Sequence, residues 1–169
     1  MASNVHGSKQ GNTGEKHGWN AFDNYKQIFH DRVIQHPFVD HSQKPTIYPE
    51  PELIDVGGTL YCVLKGELYC KHNIIITIDN VMLTREVGGG RVQVRGWSYC
   101  YKAHIKGRDD SCIVRYDNWH DFEDYHRHSI NPATGKEISI LLTREKFPHL
   151  HEVLDELEKH NPWKLLREQ

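Results

Sequence analysis

The spacing of apolar positions changes character twice along the chain. In "WNAFDNYKQIFHDRVIQH", Phe22, Tyr25, Phe29 and Val33 fall at helical spacing, which predicts a short amphipathic helix. "HPFVDHSQKPTIYPEPE" holds four prolines and reads as an extended connector. From Gly57 onward the pattern alternates. "TLYCVLKGELYC" and "NIIITIDNVMLTREV" are rich in β-branched and aromatic residues, "GGG" marks a turn, and "RVQVRGWSYCYKAHIKG" and "SCIVRYDNW" follow as strands. Short connections between them predict an antiparallel meander. Near the end, Leu150, Val153, Leu154 and Leu157 recur at i, i+3, i+4 and i+7, the apolar stripe of a second helix. Pro148 suits its first turn and Asn161-Pro162 its end. The expected fold is α+β: an antiparallel β-meander of about four to five strands flanked by an N-terminal and a C-terminal helix.

Side-chain parity then assigns faces. Val92 and Val94 are even, whereas Trp97, Tyr99 and Tyr101 are odd, so the apolar face changes parity near Gly96. One extra residue in a β-bulge at or near that glycine explains the change. If the turn at "GRDD" has two or four residues, Lys102 and His104 share a polar face with Arg115 and Asp117, and Trp97, Tyr99 and Tyr101 share an apolar one with Cys112, Val114 and Tyr116. The flanking helices cover one face and leave the other open to be a site.

Composition narrows the classes without choosing among them. A chain of 169 residues with 37% hydrophobic and 26% charged residues reads as one globular domain. A formal charge of −2 gives no global hint of nucleic-acid binding, so such a reading rests on a local patch. The four cysteines, Cys62, Cys70, Cys100 and Cys112, form no C-x-x-C pair and read as reduced, strand-borne thiols with no base at useful spacing. The first twenty residues lack an apolar signal region, and no window approaches the roughly 18 apolar residues of a membrane span. A cytoplasmic protein without membrane contact is expected.

The thirteen histidines are the compositional anomaly. In "IVRYDNWHDFEDYHRHS" a strand ends in Arg115, Asp117, Asn118, His120, His126 and His128. One chemistry for this set is RNA cleavage without a metal or other cofactor. Attack of a 2′-hydroxyl on the adjacent phosphate needs a base, an acid and a cation, and histidine suits both proton-transfer roles. The candidate catalytic residues are His104, Arg115, Asp117, His120, His126 and His128. Arg115 would hold the phosphate and Asp117 would orient a histidine or Arg115. Lys102 and Arg95 would extend the phosphate surface, with Trp119 and Tyr125 stacking bases. Asn118 suits the turn leaving the strand. A second chemistry is a Zn²⁺ site on His120, His126 and His128, helped by Asp117, although Arg115 and Lys102 would set positive charge beside a dication. A third reading is a non-enzymatic face that docks protein or nucleic acid. Arg115 and Asp117 could equally be a plain ion pair, and His104 a structural histidine.

The same residues carry a family resemblance. "SYCYKAHIKGRDDSCIVRYDNWHDFEDYHRHS" resembles the TumE-like bacterial toxins, in which an aromatic strand and a short turn precede "RYDN" or "RWDN" and a segment ending in H-x-H. The matching elements are Ser98 to His104, Arg115-Tyr116-Asp117-Asn118, His120 and His126-Arg127-His128, and "HLHEVLDELE" resembles the closing helix. The resemblance spans roughly residues 57 to 158. It implies the toxin of a toxin–antitoxin pair, RNA as target, endoribonuclease activity and a cognate antitoxin as partner. Trp119 departs from the small residues and Pro that the family often has there. On this reading, residues 1–18 are a flexible segment, 19–56 a helix and Pro-rich connector, 57–160 the toxin-like domain and 161–169 a tail. The first fifty residues have no counterpart in the family. An extra helix packed on the sheet and a homo-oligomer contact are both open for them.

Overall fold

The computed structural model describes residues 15–118, 124–130 and 134–160, the side chains of 109–111 excepted. A single antiparallel sheet dominates it. The strands are β1 (Asn20–Ala21), β2 (Glu50–Val56), β3 (Thr59–Cys70), β4 (Ile74–Val87), β5 (Arg91–Ser98), β6 (Cys100–Ile105), β7 (Arg108–Asp117), β8 (Tyr125–Ile130) and β9 (Glu137–Leu142). Two short helices accompany them: α1 (Phe22–Phe29), extended by a π-helical turn over His30–Ile34, and α2 (Leu150–His160). Nine strands among the described residues therefore replace the expected four to five, and the helix-flanked meander is corrected to a sheet-dominated fold. The difference has physical sources. Pro51 sits on β2, an edge strand paired only with β3, where a residue without an N–H is tolerated. Residues 125–130 and 137–142 form a further hairpin at the other side of the sheet.

The fourteen-residue β4 is the axis. One edge pairs with β3, and the other pairs with β5 at its far end and β6 at its near end. From β6 the sheet continues through β7 and β8 to β9. Ile74, Ile76, Ile78 and Met82 point to one face and are buried there with Leu64, Leu68, Tyr101, Val114 and Tyr116. That face is covered by Phe29, Val33 and Ile34 from the first helix and its π-turn, and by Leu150, Val153, Leu154 and Leu157 of α2. The apolar stripe of α2 is the one its sequence spacing predicts. No helix among the described residues is long and apolar enough to cross a membrane.

The parity change also has a structural cause. Val81 pairs with Ser98 but Met82 pairs with Gly96, so Trp97 is the extra residue of a bulge. Glycine is needed at 96 because the Tyr99 ring lies where a Cβ would project. Two buried asparagines replace the interrupted ladder. Asn118 accepts from the Tyr99 N–H (2.7 Å) and donates to the Trp97 carbonyl (2.8 Å), while Asn80 accepts from the Cys100 N–H (3.2 Å). Asn118 thus clamps the bulge of a neighbouring strand, rather than only shaping its own turn. Asn118→Ala orphans the buried Tyr99 N–H and the part-buried Trp97 carbonyl and is expected to cost about 2–3 kcal/mol in urea unfolding. A loss under about 0.5 kcal/mol would show that the bulge does not need its clamp.

A histidine pair ties the N-terminal segment to α2. His17 donates from Nε2 to the Phe147 carbonyl (2.9 Å) and accepts the Tyr99 hydroxyl on Nδ1 (2.9 Å), and its ring lies 4.3 Å from that of His149. Burial pulls both imidazoles down from 6.5 to about 4. In the unfolded chain they protonate near their ordinary value. The unfolded state therefore binds more protons between those limits, and stability present above pH ~6.5 is lost as the pH falls towards ~4. The urea midpoint should drop on going from pH 7 to 4.5, and by less in His17→Gln. Equal drops in both proteins would exclude His17 as a source.

Candidate functional site

The face of the sheet away from the helices carries the polar residues, and strand register arranges them in rows. Thr77, Lys102, Arg115, His128 and Ser139 are successive cross-strand partners over β4, β6, β7, β8 and β9. The next row holds Cys100, Asp117, His126 and Leu141. Lys102 opposite Arg115 is the even-to-odd pairing that parity predicts. His104 lies on the same side of β6, buried between its partners Ile75 and Cys112.

The centre of the site is a chain of four side chains. Arg115 donates from Nε to Asp117 Oδ2 at 2.6 Å. His128 Nε2 lies 3.6 Å from that oxygen, and His128 Nδ1 is 2.7 Å from Glu137 Oε1 on β9. Asp117 is only 4% exposed, and its Oδ1, like His128 Nε2, is buried with no hydrogen-bond partner among the described residues. Buried polar atoms of that kind cost roughly 1–3 kcal/mol each and are retained where they have a use. Burial works against the charge of Arg115, but the hydrogen bond and charge of Asp117 outweigh it and hold the guanidinium above its ordinary range. Its Nη groups make no hydrogen bond or ion pair among the described residues, so they stay available to an oxyanion.

This arrangement can transfer protons. Glu137 accepts the Nδ1 proton of His128, which leaves the lone pair of the neutral ring on Nε2, buried beside Asp117. The His126 ring is 5.8 Å from that of His128 and supplies a second imidazole on the same face. Thiol chemistry is disfavoured. Burial, followed by the Asp117 charge, pushes the Cys100 thiol up to about 11, and burial raises Cys112 as well.

Not every candidate from sequence reaches this face. Tyr125 is buried on the opposite side, its ring 5.0 Å from Phe147. Arg95 is on β5 opposite Leu83, beyond the bulge and outside the bonded cluster. His120 and Trp119 lie outside the described residues. Glu137 is the site residue that sequence reading missed. "GKEISILL" follows a glycine turn, but nothing local says that its first glutamate meets a histidine across a hairpin.

Metal-ligand geometry occurs elsewhere among the described residues. Ligand atoms of His36, Asp155 and Glu158 converge within 4.8 Å, whereas those of His126, His128 and Asp117 do not form such a group. His36 Nδ1 accepts the Phe38 N–H (3.1 Å), so the proton of the neutral ring is on Nε2, which faces Asp155 Oδ1 at 3.2 Å. A metal would need that nitrogen's lone pair. His36 is therefore a hydrogen-bonded strut between the connector and α2.

No family model, curated protein or solved structure matches the chain, so the polar sheet face stands on its own geometry.

Proposed function

We propose that the chain is an RNA-cleaving toxin of the TumE-like type, acting by metal-free acid–base catalysis on the polar sheet face and held in check by a cognate antitoxin. The observation that carries the reading is His128, fixed through Nδ1 by Glu137, with its Nε2 beside the Arg115–Asp117 pair. His128 Nε2 is buried beside Asp117, so RNA binding must uncover it before it takes the 2′-hydroxyl proton as O2′ attacks phosphorus. The P–O5′ bond breaks, and the leaving O5′ takes a proton from His126. Arg115 and Lys102 neutralise the phosphoryl oxygens. Asp117 is a positioning residue that aims the guanidinium. The products are a 2′,3′-cyclic phosphate and a 5′-hydroxyl end.

The test is incubation of antitoxin-free protein with mixed cellular RNA, with and without EDTA, followed by analysis of the new ends. Cleavage that survives EDTA and leaves 5′-hydroxyl ends is the expected result. Cleavage that needs a metal and leaves 5′-phosphates would move the histidines to ligand roles. Intact RNA in both samples would remove the nuclease reading.

A further inference from the structure

The opposite face of the sheet holds a partly open cavity of about 390 Å³, lined by the N-terminal segment, the first helix and the start of α2. It is separated from the histidine face by the sheet itself, because its floor is made by Leu64, Met82 and Val94 of the helix-covered side. The volume is that of a small-molecule site rather than a packing defect.

The polar groups on its walls divide into two classes. Some are already used within the protein. His17 is bonded to Phe147 and Tyr99, Lys16 pairs with Glu152 at 2.7 Å, and Glu15 pairs with Arg144 at 3.1 Å. Others are not. The Tyr25 hydroxyl and the imidazoles of His149 and His151 make no hydrogen bond among the described residues, and Arg32 at the mouth forms no ion pair there. With Lys16 and Glu15 of the wall paired off, Arg32 leaves one positive charge without an ion pair among the described residues, facing an apolar, ring-lined chamber.

We propose that this cavity binds a small organic anion with an aromatic body. The body lies on the apolar floor, the carboxylate or sulfonate meets Arg32, and the phenol and imidazoles supply hydrogen bonds to polar atoms between. Burial of the body provides most of the affinity and the guanidinium selects the charge. The site is independent of the RNA-cleavage reading, which uses the other face.

8-Anilinonaphthalene-1-sulfonate is a suitable probe, with N-phenyl-1-naphthylamine as its counterpart lacking the sulfonate. Saturable one-to-one binding of the sulfonate to the folded full-length protein is expected. Binding should weaken by at least about tenfold in Arg32→Glu, and by a similar factor for the neutral counterpart. Arg32 is exposed, so its replacement should leave the melting temperature unchanged, which separates loss of a ligand contact from loss of fold. Met82→Trp, which fills the floor, should abolish binding. Absence of saturable binding would overturn the proposal. So would binding insensitive to Arg32→Glu, or equal affinity for the neutral probe.

Discussion

His128→Ala should lower RNA turnover by roughly two to four orders of magnitude while leaving the fold intact. The size of the effect follows from what the imidazole does. One of its nitrogens is fixed by a carboxylate, and the other is buried beside the Arg115–Asp117 pair. Alanine removes the proton acceptor and leaves Glu137, which is half exposed and can return to water. Arg115→Ala should cost a comparable factor for a different reason, the loss of a cation aimed by Asp117 at the phosphate. Glu137→Gln separates positioning from proton transfer. An amide oxygen can still accept from Nδ1, so this variant should retain more activity than Glu137→Ala. A plain binding face would behave otherwise, with affinity fading gradually as residues are removed and no single variant decisive. Turnover in His128→Ala within about threefold of the parent would end the assignment of His128 as the proton-transfer residue.

Part of this face is legible in the sequence. Alternation placed Lys102, Arg115 and Asp117 on one face, and the parity change located the bulge that makes the alignment possible. The stripe on α2 was equally plain, because a single element with one buried face carries its own period. Elements whose identity depends on partners were not legible. The H-x-H segment is a strand because β7 and β9 flank it, and once it is extended Tyr125 must point away from His126 and His128. The same register brings Glu137 to His128 across nine residues of chain. β9 is exposed along most of its length, so its sequence shows no buried alternation to read. His17, in a segment that composition assigns to flexible chain, is buried because Tyr99 and Phe147 give both its nitrogens a partner.

Phe147 is the residue whose loss should most damage the fold. It precedes α2 in a turn held by its own N–H to the Thr143 carbonyl (3.0 Å), and it is completely buried. Its ring meets Tyr125 at 5.0 Å, Tyr99 at 5.2 Å, Tyr116 at 5.9 Å and Tyr101 at 6.1 Å, which joins residues of β6, β7 and β8 and the bulge that precedes them. Phe147→Ala deletes the shared partner of four tyrosines and opens a cavity that rings anchored on strands cannot collapse into. A buried Phe→Ala change costs about 3–5 kcal/mol, a large share of the roughly 5–15 kcal/mol that stabilises a domain. Lost edge-to-face and tilted contacts place this site at the upper end of that range. Phe147→Leu keeps most of the apolar volume and should lose about half as much. The Phe147 ring also packs against His17, whose pKa is depressed by burial, so Phe147→Ala should blunt the acid sensitivity between pH 6.5 and 4 while Phe147→Leu largely retains it. Urea unfolding at pH 7 measures the first effect and its repetition at pH 4.5 the second. A Phe147→Ala loss below about 1.5 kcal/mol would mean that the tyrosines pack adequately without it, and that the sheet rather than this aromatic cluster holds α2 in place.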